Sequence, residues 1–170
     1  MTVAYVGIGS NLEPAVHVRA AVAALRAEFA VVACSPVYRT EPVGFQGPPF
    51  LNLVARFSTE LSLGEVLERL HAVEGRYGRD RLSAGGSSKG SYTSRTLDLD
   101  LLLFGERVAQ EPVVLPRRDV LEYPFVAKPL AELDPDTVLP GDGRTFREVW
   151  AAFPAGAEAG MVRVDPGLPG

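Results

Sequence analysis

Cysteine, histidine and lysine are scarce in this chain. Its 170 residues include one cysteine, Cys34, and two histidines, so neither an intramolecular disulfide nor a Cys/His zinc cluster can form. No apolar run approaches the roughly 20 residues that span a bilayer, and the N-terminus lacks a signal-peptide pattern. We therefore expect a cytoplasmic protein without a membrane partner, in which any metal ion would take oxygen ligands.

A basic surplus is also absent. The chain carries 17 Lys and Arg residues against 21 Asp and Glu residues, a formal charge of −4, which argues against nucleic acid as a partner. It contains neither a Walker A motif nor a kinase-type glycine-rich loop, so the common nucleotide-binding folds are not supported. The length and the hydrophobic content of 46% favour one domain over residues 1–170, and we expect a monomer.

The order of the elements predicts an α+β fold. Strands are predicted over 4–8, 31–38, 51–57 and 97–104, with a helix over about 18–29 and another over 62–74. Pro36 would confine the second strand to an edge or end it early. The order strand, helix, strand, strand, helix, strand matches the ferredoxin-like βαββαβ antiparallel sheet with helices packed on it.

The remaining segments add to this sheet. Apolar spacing and a Thr145/Glu148 capping box predict C-terminal helices over 125–133 and 145–153, followed by a short strand. Two segments without periodicity, at about 41–50 and 79–95, are rich in Gly, Pro or Ser and predict mobile loops.

A pair of acidic residues stands out in the last predicted strand of the sheet. Alternation in LDLDL sends Asp98 and Asp100 to one face, roughly 6.6 Å apart, and the leucines at 97, 99, 101 and 103 to the other. Asp is disfavoured in strands and like charges on one face repel. A cation would compensate, and Mg²⁺ prefers such oxygen ligands. The alternative is an exposed strand face with solvated carboxylates.

A basic segment precedes the acidic pair. Between residues 76 and 95 five basic side chains face one acidic side chain, a local formal charge of +4. They are Arg76, Arg79, Arg81, Lys89 and Arg95, against Asp80. Guanidinium groups that meet phosphate oxygens beside carboxylates that hold metal are the components of phosphoryl transfer. The alternative is a solvated basic loop.

Four segments together carry a family likeness. They are 5–12 (YVGIGSNL); 38–44 (YRTEPVG) with 50–52 (FLN); 78–79 with 95–100 (RTLDLD) and 104–105; and Pro116 with Phe125 and 129–130. In this order and spacing, over about residues 3–140, the chain resembles the 6-hydroxymethyl-7,8-dihydropterin pyrophosphokinases of folate biosynthesis.

The resemblance implies a ferredoxin-like fold, an activity and a set of site residues. The implied activity is transfer of pyrophosphate from ATP to the pterin hydroxymethyl group, releasing AMP, with two Mg²⁺ ions held by Asp98 and Asp100. Arg79 and Arg95 are implied as catalytic, phosphate-contacting arginines. The expected ATP-binding set is Glu74, Arg79, Arg81, Arg95 and Arg117. The expected pterin-binding set is Thr40, Val43, Phe50, Asn52, Tyr92 and Phe125, with Asn52 hydrogen-bonding the ring and Phe125 stacking on it with Phe50 or Tyr92.

Two departures from the family pattern bear on function. Where the family usually has Pro-His, this chain has Pro116 followed by Arg117 and Arg118, so a permanently charged group would replace a histidine at the phosphates. Tyr92 stands where the family has a tryptophan. Two other functions therefore stay open, a non-catalytic pterin or nucleotide sensor on the same fold and an unrelated ferredoxin-like interaction domain.

Overall fold

The computed structural model describes residues 1–44, 46–77 and 97–169. Eleven elements lie within them. They are β1 (Thr2–Ser10), α1 (Pro14–Glu28), β2 (Ala30–Cys34), β3 (Val37–Thr40), β4 (Phe50–Thr59), α2 (Leu63–Arg76), β5 (Asp98–Phe104), α3 (Asp119–Glu122), α4 (Pro124–Leu133), α5 (Phe146–Ala151) and β6 (Val162–Val164). None of these described helices is long and apolar enough to cross a bilayer.

The strands form one antiparallel sheet in the order β5-β1-β4-β3-β6, with β2 also paired to β4. With β2 and β3 counted as one interrupted strand, the order is that of the ferredoxin-like fold, so the predicted α+β class is confirmed. The strand predicted over 31–38 ends early, at Cys34, as expected from Pro36, and a separate strand, β3, begins at Val37. Ser35 Oγ accepts the Val54 N–H at 2.9 Å and so holds the break against β4.

Helices α1 and α2 cover one face of the sheet. Pro14 begins α1, and the predicted capping box begins α2, where Ser62 and Glu65 each accept from the other's backbone N–H. The apolar stripes of both helices pack on the inward side chains of β1, β4 and β5, with Phe57 fully buried at the centre. This layer is the larger core.

Helices α4 and α5 cover part of the opposite face. Their core includes Tyr5, Val54, Leu130 and Phe146, and the Tyr5 hydroxyl donates to Asp134 Oδ2 at 2.8 Å. Because these helices lie towards one end of the sheet, the other end of that face is left to the cavity described below. The short helix α3, which leads into α4, was not predicted from the sequence.

An irregularity in β5 changes one predicted orientation. Tyr5 pairs with Leu103 whereas Val6 pairs with Leu101, so Leu102 is an extra residue in the ladder. Leu97, Leu99 and Leu101 belong to the core under α1 and α2 as predicted. Leu103 instead joins the opposite core with Leu102, because a β-bulge reverses the alternation that follows it.

Candidate active site

A cavity of about 480 Å³ opens on the sheet face that α4 leaves uncovered. Its floor is the end of β1 with the neighbouring parts of β4 and β5, and its walls come from α2, the segment after β3, and residues 117–126. Nineteen described residues line it: Gly7, Ile8, Gly9, Thr40, Glu41, Val43, Phe50, Asn52, Leu53, His71, Glu74, Asp98, Asp100, Leu102, Arg117, Asp119, Tyr123, Phe125 and Val126.

The floor is built around two glycines of the central strand β1. Gly9 lies opposite Asp98 on β5 and opposite Asn52 on β4, and Gly7 lies opposite Asp100. A Cβ added at Gly9 would lie 3.1 Å from Asn52 Oδ1, tighter than an ordinary contact, whereas one added at Gly7 would lie 3.6 Å from Leu102. The absence of a side chain at Gly9 therefore lets the Asn52 carboxamide lie close against the β1 backbone.

The two aspartates lie on the cavity face of β5, as the alternation predicts. Burial raises the pKa of Asp100 well above its usual range, and the nearby Asp98 carboxylate raises it further, whereas Arg117 lowers it. The shift means that ionising both carboxylates is unfavourable in the protein alone. Within residues 1–44, 46–77 and 97–169, no three His, Cys, Asp or Glu side chains are arranged so that they could hold a metal ion together. A cation here would therefore rest on two carboxylates and complete its shell with water or substrate oxygens, as Mg²⁺ commonly does.

Arg117 is the charged group that faces this pair. Its Nη2 lies 3.6 Å from Asp100 Oδ1 and its Nε lies 3.0 Å from Asp119 Oδ1. The Nε–H does not point at Asp119 well enough for a hydrogen bond, and this buried atom has no other hydrogen-bond partner in the described part of the chain. The backbone N–H of Arg117 donates to Leu102 O at 2.8 Å, which fixes the arginine beside β5.

A buried polar pair lies on the opposite side of the glycine floor. Asn52 Nδ2 donates to Thr40 Oγ1 at 2.7 Å, and both side chains are buried. The bond fixes the orientation of the carboxamide and leaves its oxygen and one N–H for other partners. Nearby, Asn11 Nδ2 donates to Pro48 O at 3.2 Å and ties the segment that follows β3 to the end of β1.

Two aromatic rings form one wall. Tyr123 and Phe125 lie parallel, 5.0 Å apart with an interplanar angle of 16°. Tyr123 ends α3 and caps the N-terminus of α4 in an extended conformation, which turns its ring onto that of Phe125 two residues later. The wall can stack on a flat heterocycle.

All nine described residues of the predicted site line this one cavity. They are Thr40, Val43, Phe50, Asn52, Glu74, Asp98, Asp100, Arg117 and Phe125. Arg79, Arg81, Tyr92 and Arg95, and the predicted mobile segment 79–95, lie outside the described residues. What each of the nine residues does stays a prediction.

Sequence reasoning missed Asp119 and Tyr123. A carboxylate directly after two arginines is a signal for an ion pair that could have identified Asp119. No sequence signal distinguished Tyr123 from a core aromatic. Together the described lining residues carry five carboxylates and one guanidinium, a formal charge of −4, so this part of the cavity attracts cations.

The chain has clear relatives among known proteins. Residues 5–135 match the model of a family described as 7,8-dihydro-6-hydroxymethylpterin-pyrophosphokinase. A Pseudomonas aeruginosa protein named 2-amino-4-hydroxy-6-hydroxymethyldihydropteridine pyrophosphokinase is 41% identical over 155 residues, 88% of this chain and 91% of that protein. The protein of the same name from Haemophilus influenzae is 35% identical over 171 residues, 98% of this chain and all of its own length.

A solved structure is similar in fold. The chain superposes on Plasmodium falciparum HPPK-DHPS with a TM-score of 0.73 and 10% sequence identity, covering 96% of this chain and 47% of that one. At that identity the likeness supports the fold alone.

Proposed function

Since the chain belongs to the 7,8-dihydro-6-hydroxymethylpterin pyrophosphokinase family, we propose that its cavity brings ATP and 6-hydroxymethyl-7,8-dihydropterin together. In the reaction the pterin hydroxyl oxygen forms a bond to the β-phosphorus, the bond from that phosphorus to the α,β-bridging oxygen breaks, and AMP leaves. The observation that carries the proposal is the floor of the cavity, where Gly9 separates the acidic pair from Asn52.

The pterin is assigned to the Asn52 side of the floor. Its amide-like edge needs both a donor and an acceptor, and the Asn52 carboxamide, oriented by Thr40, presents both. The wall formed by Tyr123 and Phe125 offers an aromatic face for the ring. Phe50 and the backbone near Val43 close the same side, with Tyr92 proposed as a further aromatic contact.

The phosphates are assigned to the Asp98 and Asp100 side. A triphosphate is repelled by the described lining residues, whose formal charge is −4, so cations are needed between them. The donor set fits Mg²⁺, because two carboxylates lie on one strand face and offer hard oxygen ligands. Two Mg²⁺ ions bound there would supply neutralisation of the phosphate oxygens, which is the main requirement of phosphoryl transfer.

The protein's own cations complete the proposed donor site. Arg79 and Arg95 are proposed to contact the transferred phosphates, and Arg81, Glu74 and Arg117 to belong to the ATP site. Forked guanidinium groups suit this task, because they bind phosphate oxygens bidentately and stay charged. We propose that residues 1–170 act as one domain, with β1 to β6 in a single sheet, and that the chain works as a monomer in the cytoplasm.

The sensor alternative has no observation in its favour. The relatives compared above are named as enzymes, and both carboxylates of the acidic pair are present and face the cavity. A sensor would bind both ligands without turnover.

Product analysis tests the proposal. The purified protein is incubated with ATP, the dihydropterin alcohol and Mg²⁺, and nucleotides and pterins are separated by chromatography. We expect AMP and the pterin diphosphate in equal amounts, with turnover lost on chelation of Mg²⁺ and in Asp98→Asn. The matched control is Asp136→Asn, which removes an 85% exposed carboxylate outside the cavity and should leave turnover unchanged. Formation of ADP in place of AMP, or binding without turnover, would refute the proposal.

A further inference from the structure

Arg117, the only Lys or Arg side chain among the described lining residues, lies beside Asp100. Arg117 is held between two carboxylates, with Asp119 closer at 3.0 Å and Asp100 further away at 3.6 Å. The Arg117 side chain as a whole is 42% exposed and that of Asp100 is 29% exposed. An ion pair of this length and exposure is weak and easily displaced.

We propose that Arg117 is a built-in counterion of Asp100 when no metal is bound, and that Asp119 holds it partly away from Asp100 so that a divalent cation can take its place. This inference rests on the proposed function of the cavity. The hydrogen bond to Leu102 O fixes the backbone of Arg117 beside β5, so any displacement of the guanidinium must come from rotation of its side chain.

Charge and geometry favour this role over a purely structural one. Ionised Asp98 and Asp100 on one face of β5 would repel each other in a half-buried site, and a nearby cation offsets the repulsion. Full pairing of Arg117 with Asp100 would relieve it but would also block the site. Asp119 competes for the same guanidinium from the first turn of α3, so the pairing stays partial. After displacement the guanidinium remains paired with Asp119 and lies next to the incoming phosphates.

Titration with Mn²⁺ alone, followed by calorimetry or by the electron paramagnetic resonance of the free ion, tests the inference without turnover. Arg117→Met removes the competing cation and should tighten Mn²⁺ binding by about three- to fivefold, the equivalent of a weak ion pair. Asp119→Asn releases Arg117 towards Asp100 and should weaken binding. Arg118→Met is the matched control, because Arg118 carries the same charge one residue away and its exposed side chain makes no ion pair in the described part of the chain.

A double variant shows whether Asp119 acts by restraining Arg117 or only by its own negative charge. If Asp119 acts through Arg117, Asp119→Asn should weaken Mn²⁺ binding less in the Arg117→Met background than in the wild type. An equal effect in both backgrounds would overturn the role of Asp119. Mn²⁺ binding by Arg117→Met that is no tighter than by wild type or Arg118→Met would overturn the counterion role. In either case AMP formation by the wild-type protein would leave the proposed function intact, whereas its absence would count against that function separately.

Discussion

Replacing Thr40 by valine tests whether the Asn52 carboxamide is held in place by its side-chain hydrogen bond. Valine keeps the shape of threonine but cannot accept the Nδ2–H that Thr40 Oγ1 now accepts at 2.7 Å. Because both residues are buried, the Asn52 amide would lose a partner that water cannot easily replace. A buried donor left without a partner costs about 1–3 kcal/mol, and for a chain of this length about 2 kcal/mol lowers Tm by roughly 4–8 °C.

The effect on binding follows from the same bond. A carboxamide that is free to rotate spends less time in the orientation that meets the pterin, so we expect about a two- to tenfold loss of pterin affinity, the equivalent of one net hydrogen bond of roughly 0.5–1.5 kcal/mol. Calorimetric titration with the pterin alcohol measures this loss. Thr40→Ser keeps the hydroxyl and should bind within about twofold of the wild type. Equal pterin affinity in the valine and serine variants would refute the reasoning.

Three further perturbations probe other parts of the cavity. Burial and the Asp98 carboxylate raise the pKa of Asp100 from 3.8 to about 8. The metal-free protein therefore loses stability as the pH rises from the ordinary pKa of an aspartate to the raised one, and the loss is complete above it. Asp100→Asn should raise Tm in alkaline buffer more than in mildly acidic buffer, and equal shifts in both would contradict this. Tyr123→Leu should raise the KM for the pterin several-fold, with little change in the KM for ATP. Tyr123→Phe keeps the stacked ring and should behave as the wild type. If steady-state kinetics give the same KM for the pterin in both variants, the positioning role is refuted. Gly9→Ala should weaken pterin binding, because the added methyl group would displace Asn52 Oδ1. Gly7→Ala is the control, and calorimetric titration measures both variants. An equal loss of pterin affinity in the two would point to simple filling of the cavity.

Sequence patterns predict an element correctly where its boundaries depend on residues that are close together in the chain. The capping boxes at Ser62 and Thr145 mark the starts of α2 and α5, and strict alternation marks β4. The same alternation placed Asp98 and Asp100 on one face, because the bulge lies after them in β5.

Features that depend on distant partners could not be predicted in the same way. The break between β2 and β3 is fixed by the hydrogen bond from Val54 to Ser35. The reversed orientation of the Leu103 side chain comes from the extra residue in the pairing of β5 with β1. The wall made by Tyr123 depends on a short helix that has no apolar periodicity of its own. For the site, the sequence supplied the residues through a family pattern, whereas the ion pairs of Arg117 needed the folded chain.

The glycine strand at the floor of the cavity sets a fixed length scale. Asp98 and Asn52 flank Gly9 from the two neighbouring strands, so two interstrand spacings, roughly 10 Å, separate their backbones. Backbone ladders hold that span, and loop movements cannot shorten it. With the pterin and the phosphates bound on the two sides where we propose them, this fixed span would select the length of the acceptor's reactive arm, so an acceptor one bond shorter or longer should bind by its ring and react slowly.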